Sequence, residues 1–302
     1  MFEILVKAGC YIAIILLGIF LRAVGFFKEE DFPVLSKIVV KITLPAAIIA
    51  SAAGREVDPK LLYLALLGFG GGVIYMIVGY LLGKSGGKDS QAFSLLNLPG
   101  YNIGAFALPF TQSFMGATGM LTTSIFDVGN AFVCLGGAYG VASVIKAGNG
   151  FDWKRIVKAL SRSVPFLVYV TTMSMNLLHI PIPDFVASCA RIIGDGNAFM
   201  AMLMIGVGFK LDLKKSQLGL MCKMLLCRYS IATVLALAYY FLLPFDLEVR
   251  QTLVILAFAP IGSAVPGFTS ELGGDVGLSC SINSMAILIS IVIIVTLLVV
   301  ML

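Results

Sequence analysis

The stretch Ser94–Gly116, SLLNLPGYNIGAFALPFTQSFMG, is apolar enough to enter a bilayer, yet it carries Asn97, Pro99, Gly100, Asn102, Gly104 and Pro109. A proline has no N–H and its ring clashes with the preceding turn, so an unbroken helix is excluded here. A break inside a membrane leaves polar backbone groups unpaired, and this is tolerated only where the break is packed in protein or lines a cavity. Leu256–Gly274, LAFAPIGSAVPGFTSELGG, has the same character. Paired interruptions in two corresponding halves of a chain point to a binding site at mid-membrane.

Composition sets the medium. Of 302 residues, 59% are hydrophobic and 12% charged, and the mean hydropathy is +1.01. Ordinary soluble domains are about 25% charged, so the chain reads as an all-α polytopic membrane protein whose first partner is the lipid bilayer. The net charge of +5 fits basic cytoplasmic loops and implies no nucleic-acid partner. The cysteines, Cys10, Cys134, Cys189, Cys222, Cys227 and Cys280, fall in apolar segments without metal-ligand spacing. They read as small buried hydrophobes. One histidine, His179, excludes a histidine metal cluster and reads as a loop residue near the outer face. Glu3 and Lys7 precede a long apolar run with no small-residue cleavage site, so the N-terminus reads as a first span rather than a removable signal peptide.

At about 20 apolar residues per span, ten transmembrane helices are expected. They run over Ile4–Phe27, Phe32–Ala53, Lys60–Lys84, Ser90–Phe114, Thr118–Ala147, Val157–Ile180, Asp184–Phe209, Gln217–Leu243, Val249–Glu271 and Val276–Met301. Helices 4 and 9 are the broken ones. Lys and Arg crowd one side: Arg22 and Lys28, Lys84 and Lys88, Lys146 to Arg162, then Lys210, Lys214 and Lys215. The other side holds Lys7, Arg55, Lys60 and Arg250. The richer side is placed in the cytoplasm, which puts both termini outside.

Aligning Pro109 with Pro266 puts Gly116 on Gly273 and lays the fifth span over the tenth. Residues 1–147 and 148–302 then form two five-helix repeats. An odd number of spans per half makes them inverted, with broken crossover helices 4 and 9. Half-helix N-termini meeting at mid-membrane present free N–H groups and about half a positive charge each, which suits a carboxylate. Asn102, Gly104 and Pro109 in one half, and Gly262, Ser263 and Pro266 in the other, are the candidate substrate-binding residues. Asn283 in the tenth span faces the second break by the same repeat logic. Prolines that only kink packed helices are the alternative.

Asn102-Ile103-Gly104 followed by Pro109, with Phe114-Met115-Gly116, resembles the fourth helix of the auxin efflux carrier family. That family includes plant auxin exporters and bacterial malate or malonate permeases. Lys41-Ile42-Thr43-Leu44-Pro45 is similar to its second-helix motif, and Val265-Pro266-Gly267-Phe268 with Glu271 to its ninth-helix crossover. Ala107 stands where the family often has Gly, and no long loop joins the halves, as in a compact prokaryotic member. The resemblance implies an elevator-type carrier. Helices 3–5 and 8–10 would move as a transport domain against a scaffold of helices 1, 2, 6 and 7 that is often a homodimer. Gly68-Phe69-Gly70-Gly71-Gly72 is compatible with sliding helices. A prokaryotic member sits in the inner membrane.

A charge at mid-bilayer costs roughly 3 kcal/mol or more, so each one is a functional candidate. Asp127 lies one helical turn from Asn130. The pair is read either as a proton or sodium coupling site or as hydrogen bonds to the broken backbone. Arg191 and Asp195 are spaced for an ion pair; Lys37 and Lys41 read as snorkelling or as drawing anions toward the site, and Lys223 and Arg228 as snorkelling, with substrate contact the alternative for Arg228. Glu271 and Asp275 read as solvated. No Walker sequence, no HExxH motif and no Ser/His/Asp set is present, so no catalytic role, metal or cofactor is expected. The expected function is secondary transport of a small organic anion. A sodium-coupled symporter of the bile-acid transporter type and a membrane ligand sensor are the alternatives.

Overall fold

The computed structural model describes residues 2–54, 58–148, 150–212 and 214–302. Arg55, one of the outer-side cations, lies outside the described residues. The fold is all-helical, with no strand among the described residues. Among the described residues, seven helical stretches are long and apolar enough to cross a membrane: Phe2–Ala23, Glu29–Ala52, Pro59–Asn97, Gly116–Ala147, Asp184–Gly208, Lys215–Leu242 and Val276–Met301.

In finer detail α1 is Phe2–Ala23, and α2 (Phe32–Ile38) runs through a π-turn at Val39–Thr43 into α3 (Leu44–Ala52). The helices α4 (Tyr63–Gly83) and α5 (Gly87–Asn97) follow. Gly87, at φ +80°, makes the tight reversal between them. A second π-turn at Ile103–Ala107 leads into α6 (Leu108–Phe114), and α7 (Gly116–Phe132) runs through a third, Val133–Gly137, into α8 (Ala138–Ala147). The second half holds α9 (Trp153–Arg162), α10 (Val164–Leu177), α11 (Asp184–Asp195), α12 (Asn197–Gly208), α13 (Leu218–Leu242), α14 (Leu247–Ala257), α15 (Val265–Glu271) and α16 (Val276–Met301).

Several expectations are corrected. The basic connection is no plain loop: its residues build α9, with Ile156 and Leu160 buried and Lys154, Lys158 and Arg162 exposed. Ser163 caps the next helix through the Phe166 N–H, so the sixth apolar helix is the shorter α10. The seventh apolar stretch is interrupted at Gly196. Arg191 and Asp195 are exposed and form no ion pair among the described residues. The cysteines are not core residues. Cys10, Cys189 and Cys222 are exposed on helix sides that face away from the protein, and Cys134, Cys227 and Cys280 are partly buried.

Close backbone packing holds the helices together. A Cβ on Gly18 of α1 would lie 2.6 Å from the Leu203 carbonyl of α12, and one on Gly206 would lie 2.2 Å from the Ile15 carbonyl. Only glycine permits that approach in a medium where apolar burial gives little drive. The same device joins α4 to α7 at Gly68 and Gly129.

Candidate functional site

The first interruption covers Leu98–Asn102, between α5 and the Ile103–Ala107 π-turn. Pro99 has no N–H to continue the helix. Gly100 takes φ +81°, which a side chain would strain. The second covers Phe258–Ala264, around Pro260, between α14 and α15. The interruptions therefore lie at Pro99 and Pro260, upstream of the expected crossing at Pro109 and Pro266. Pro109 and Pro266 instead open α6 and α15, where a missing N–H is harmless. The two interruptions touch: the Asn102 N–H donates to the Pro260 carbonyl at 2.8 Å.

Arg228 binds them together. Its side chain is 1% exposed, which overturns snorkelling. One guanidinium nitrogen donates to the Leu98 carbonyl at 2.5 Å. The other donates to the Gly100 carbonyl at 2.9 Å and the Ala259 carbonyl at 2.7 Å. These acceptors sit at or just beyond the C-terminal ends of α5 and α14, where helix dipoles place negative charge. The fork geometry of Arg lets one side chain satisfy three carbonyls on two segments. Tyr75 lies under the guanidinium at 4.9 Å and donates its hydroxyl proton to the Arg228 carbonyl at 3.2 Å. The position announces the role in retrospect. Arg228 is ten residues into α13, roughly 15 Å from its start at 1.5 Å per residue, too far for its head to reach water.

Asn130 holds the first interruption from the other side. Its carbonyl accepts from the Tyr101 N–H at 3.1 Å and its amide donates to the Tyr101 carbonyl at 2.9 Å, replacing the lost helix pairing. The amide also donates to Asp127 at 2.8 Å. Asp127 thus orients the residue that ties down the broken backbone, and among the described residues its carboxylate is in no ion pair. The Tyr169 hydroxyl lies beside it. Cys134 packs between the two segments: a Cβ on Gly100 would lie 2.6 Å from its sulfur and one on Gly262 3.6 Å.

Two cavities meet at this junction. One, of about 150 Å³, is lined by Asn102, Gly104, Asp127, Asn130, Gly262 and Ser263, among others. The other, of about 350 Å³, is lined by Asn102, Ser263, Pro266 and Asn283, and reaches Arg22, Glu29 and Lys210 at its rim. Every candidate residue except Pro109 therefore lines a cavity. Pro109 instead accepts from the Tyr11 hydroxyl at 3.1 Å. The Asn102 amide and the Ser263 hydroxyl make no hydrogen bond among the described residues and are open to both cavities. Asn283 donates to the Gly262 carbonyl at 3.4 Å, while its own carbonyl oxygen is buried without a partner.

The rim carries residues that sequence reading left among plain loops. Arg22 donates to the Val207 and Phe209 carbonyls at 3.0 and 2.9 Å. Lys210 pairs with Glu29 at 3.0 Å, and that hydrogen bond, with the carboxylate charge, raises the lysine pKa above its ordinary value. Asn97, Thr269 and Ser279 form a closed buried network, with Ser279 donating to Asn97 at 2.5 Å and Asn97 to Thr269 at 3.1 Å. Glu271 and Asp275 are not merely solvated: Glu271 pairs with Arg155 at 2.6 Å, and Asp275 caps α16 through the Leu278 N–H.

A family model described as membrane transport protein matches residues 10–144, which include the whole first interruption. That segment of the chain is similar to this family. The chain is similar to an uncharacterized transporter of Methanocaldococcus jannaschii, at 24% identity over 219 residues, 68% of each chain. It is likewise similar to an uncharacterized transporter of Methanothermobacter thermautotrophicus, at 24% identity over 210 residues, 67% of this chain and 66% of the relative. The first interruption, Leu98–Asn102, lies inside the matched segment.

Proposed function

We propose that the protein is an elevator-type secondary carrier of a small organic anion, a mono- or dicarboxylate, bound where the two interruptions meet. The observation that carries this reading is the 350 Å³ cavity, with unpartnered amide and hydroxyl groups at its base and Arg22 and Lys210 at its rim. Arg22 and Lys210 outnumber Glu29 there, so the entrance draws anions. In this reading ten spans form two inverted halves, residues 1–147 and 148–302, in the inner membrane, with both termini outside and the scaffold paired as a homodimer. The division into scaffold and transport domain is supported by α1 packing on α12 and α3 on α10 and α11, while α4, α5, α7, α8, α13 and α14 pack among themselves. Asp127 and Asn130 would carry any proton or sodium coupling.

The sodium-symporter alternative has less support. It needs free oxygens around Asn102, Asp127, Asn130 and Glu271, yet Asn130 is bonded to Tyr101 and Glu271 to Arg155. Uptake of labelled malate, malonate and indole-acetate into proteoliposomes, with imposed proton or sodium gradients, tests the proposal. Saturable uptake of one of these anions is the expected result. Ligand binding without flux would make the protein a sensor and refute the carrier reading.

A further inference from the structure

Away from the crossover, a second cavity of about 450 Å³ lies between α4, α7, α8 and α9 and is lined throughout by apolar residues. At one edge of it α4 and α7 approach closely through glycines. A Cβ on Gly129 would lie 1.7 Å from the Ala65 carbonyl, and one on Gly68 would lie 2.1 Å from the Phe126 carbonyl. Along α4 the wall is Leu66, Phe69, Val73 and Met76. Their spacing of three, four and three residues puts them on one face, and they cover roughly 15 Å of helix. The slot ends at α9, against Trp153.

The helix α9 is built for the membrane surface. Lys154, Lys158 and Arg162 recur every fourth residue along one exposed row and form no ion pair among the described residues. Trp153 and Val157 form the neighbouring row, 66% and 63% exposed. An exposed aromatic beside a cationic row is the pattern of a helix lying in the headgroup region. The nearby charges are otherwise engaged. Arg155 is held by Glu271 and lies 3.7 Å over the Tyr139 ring. Asp152 caps the helix through the Arg155 N–H, and Asp89 pairs with Lys146.

We propose that this groove binds one anionic phospholipid, with an acyl chain in the slot along α4 and the headgroup phosphate on Lys154 and Lys158. Both the shape and the charge select that occupant. A 15 Å length of helix about 10 Å across fills roughly 1,200 Å³, far more than the slot holds, whereas a single acyl chain is slender. The wall has no polar side chain to pair with a peptide, and the exposed cations on α9, which gives Trp153 and Ile156 to that wall, match a phosphate. The lipid would brace α9, the helix that covalently joins the two halves.

The test reads lipid retention rather than transport, so it stands apart from the carrier proposal. The purified, delipidated full chain is mixed with phosphatidylglycerol or phosphatidylcholine of identical acyl chains. Bound lipid is counted by native mass spectrometry, and thermal stability is followed in parallel. One phosphatidylglycerol per chain is expected, retained at least several-fold better than phosphatidylcholine. The double variant K154Q/K158Q, at exposed positions, should abolish the preference. V73W should fill the slot and cut retention of both lipids. Equal retention of the two lipids, or variants that bind as the parent does, overturns the proposal. So does a dimer that V73W dissociates, since the groove would then be a subunit interface.

Discussion

Replacing Arg228 with Met leaves the shape of the side chain roughly intact and removes all three donors to the Leu98, Gly100 and Ala259 carbonyls. A hydrogen bond to a charged group contributes about 1.5–3 kcal/mol. The three do not add fully, because loosened carbonyls find partial substitutes. Removing the buried partner should therefore cost about 3–5 kcal/mol, the range seen when a buried charged contact is broken. A kcal/mol shifts the midpoint by about 2–4 °C in chains of 150–250 residues, and this longer chain belongs at the low end. The expected fall is roughly 6–10 °C, measured by thermal unfolding in detergent at one fixed scan rate, because such transitions are often irreversible. R228K keeps the charge but loses the fork and should fall between Met and the parent. Uptake should drop in step with stability, because the interruptions lose their shared anchor. If R228M melts within about 2 °C of the parent yet has lost uptake, Arg228 acts on the substrate and the clamp reading is refuted.

Three further outcomes follow from the same geometry. N102A should change stability by no more than about 0.5 kcal/mol, since the amide makes no bond, while uptake falls at least tenfold; unchanged uptake would remove Asn102 from the substrate site. D127N keeps an acceptor for Asn130, so it should fold and melt as the parent does but lose any response of uptake to an imposed proton gradient. A gradient response that survives D127N would show that Asp127 is only a brace. G129A forces a Cβ to within 1.7 Å of the Ala65 carbonyl and should cost about 1–3 kcal/mol or more by overpacking. Its control is G70A, where a Cβ meets nothing within 4 Å and the better helix propensity of Ala applies; equal melting of the two variants would refute the close α4–α7 crossing.

The medium, the helical class and the two interruptions are legible from residues alone. Each depends on a local cause: apolar length, or a proline without an N–H in a place where no water can replace the lost bond. The candidate residues Asn102, Ser263 and Asn283 were legible for the same reason, since small polar side chains beside a break have few other uses. What the tertiary structure decided is which long-range partner closes each polar group. Pro99 and Pro260, rather than Pro109 and Pro266, mark the meeting point, because a proline's effect depends on whether its missing N–H falls inside a helix or at its start. Arg228 looked like any basic residue in an apolar helix. Only folding brings three orphan carbonyls from two distant segments within reach of one guanidinium, and this turns a charge buried in an apolar helix into the anchor of Ser94–Gly116.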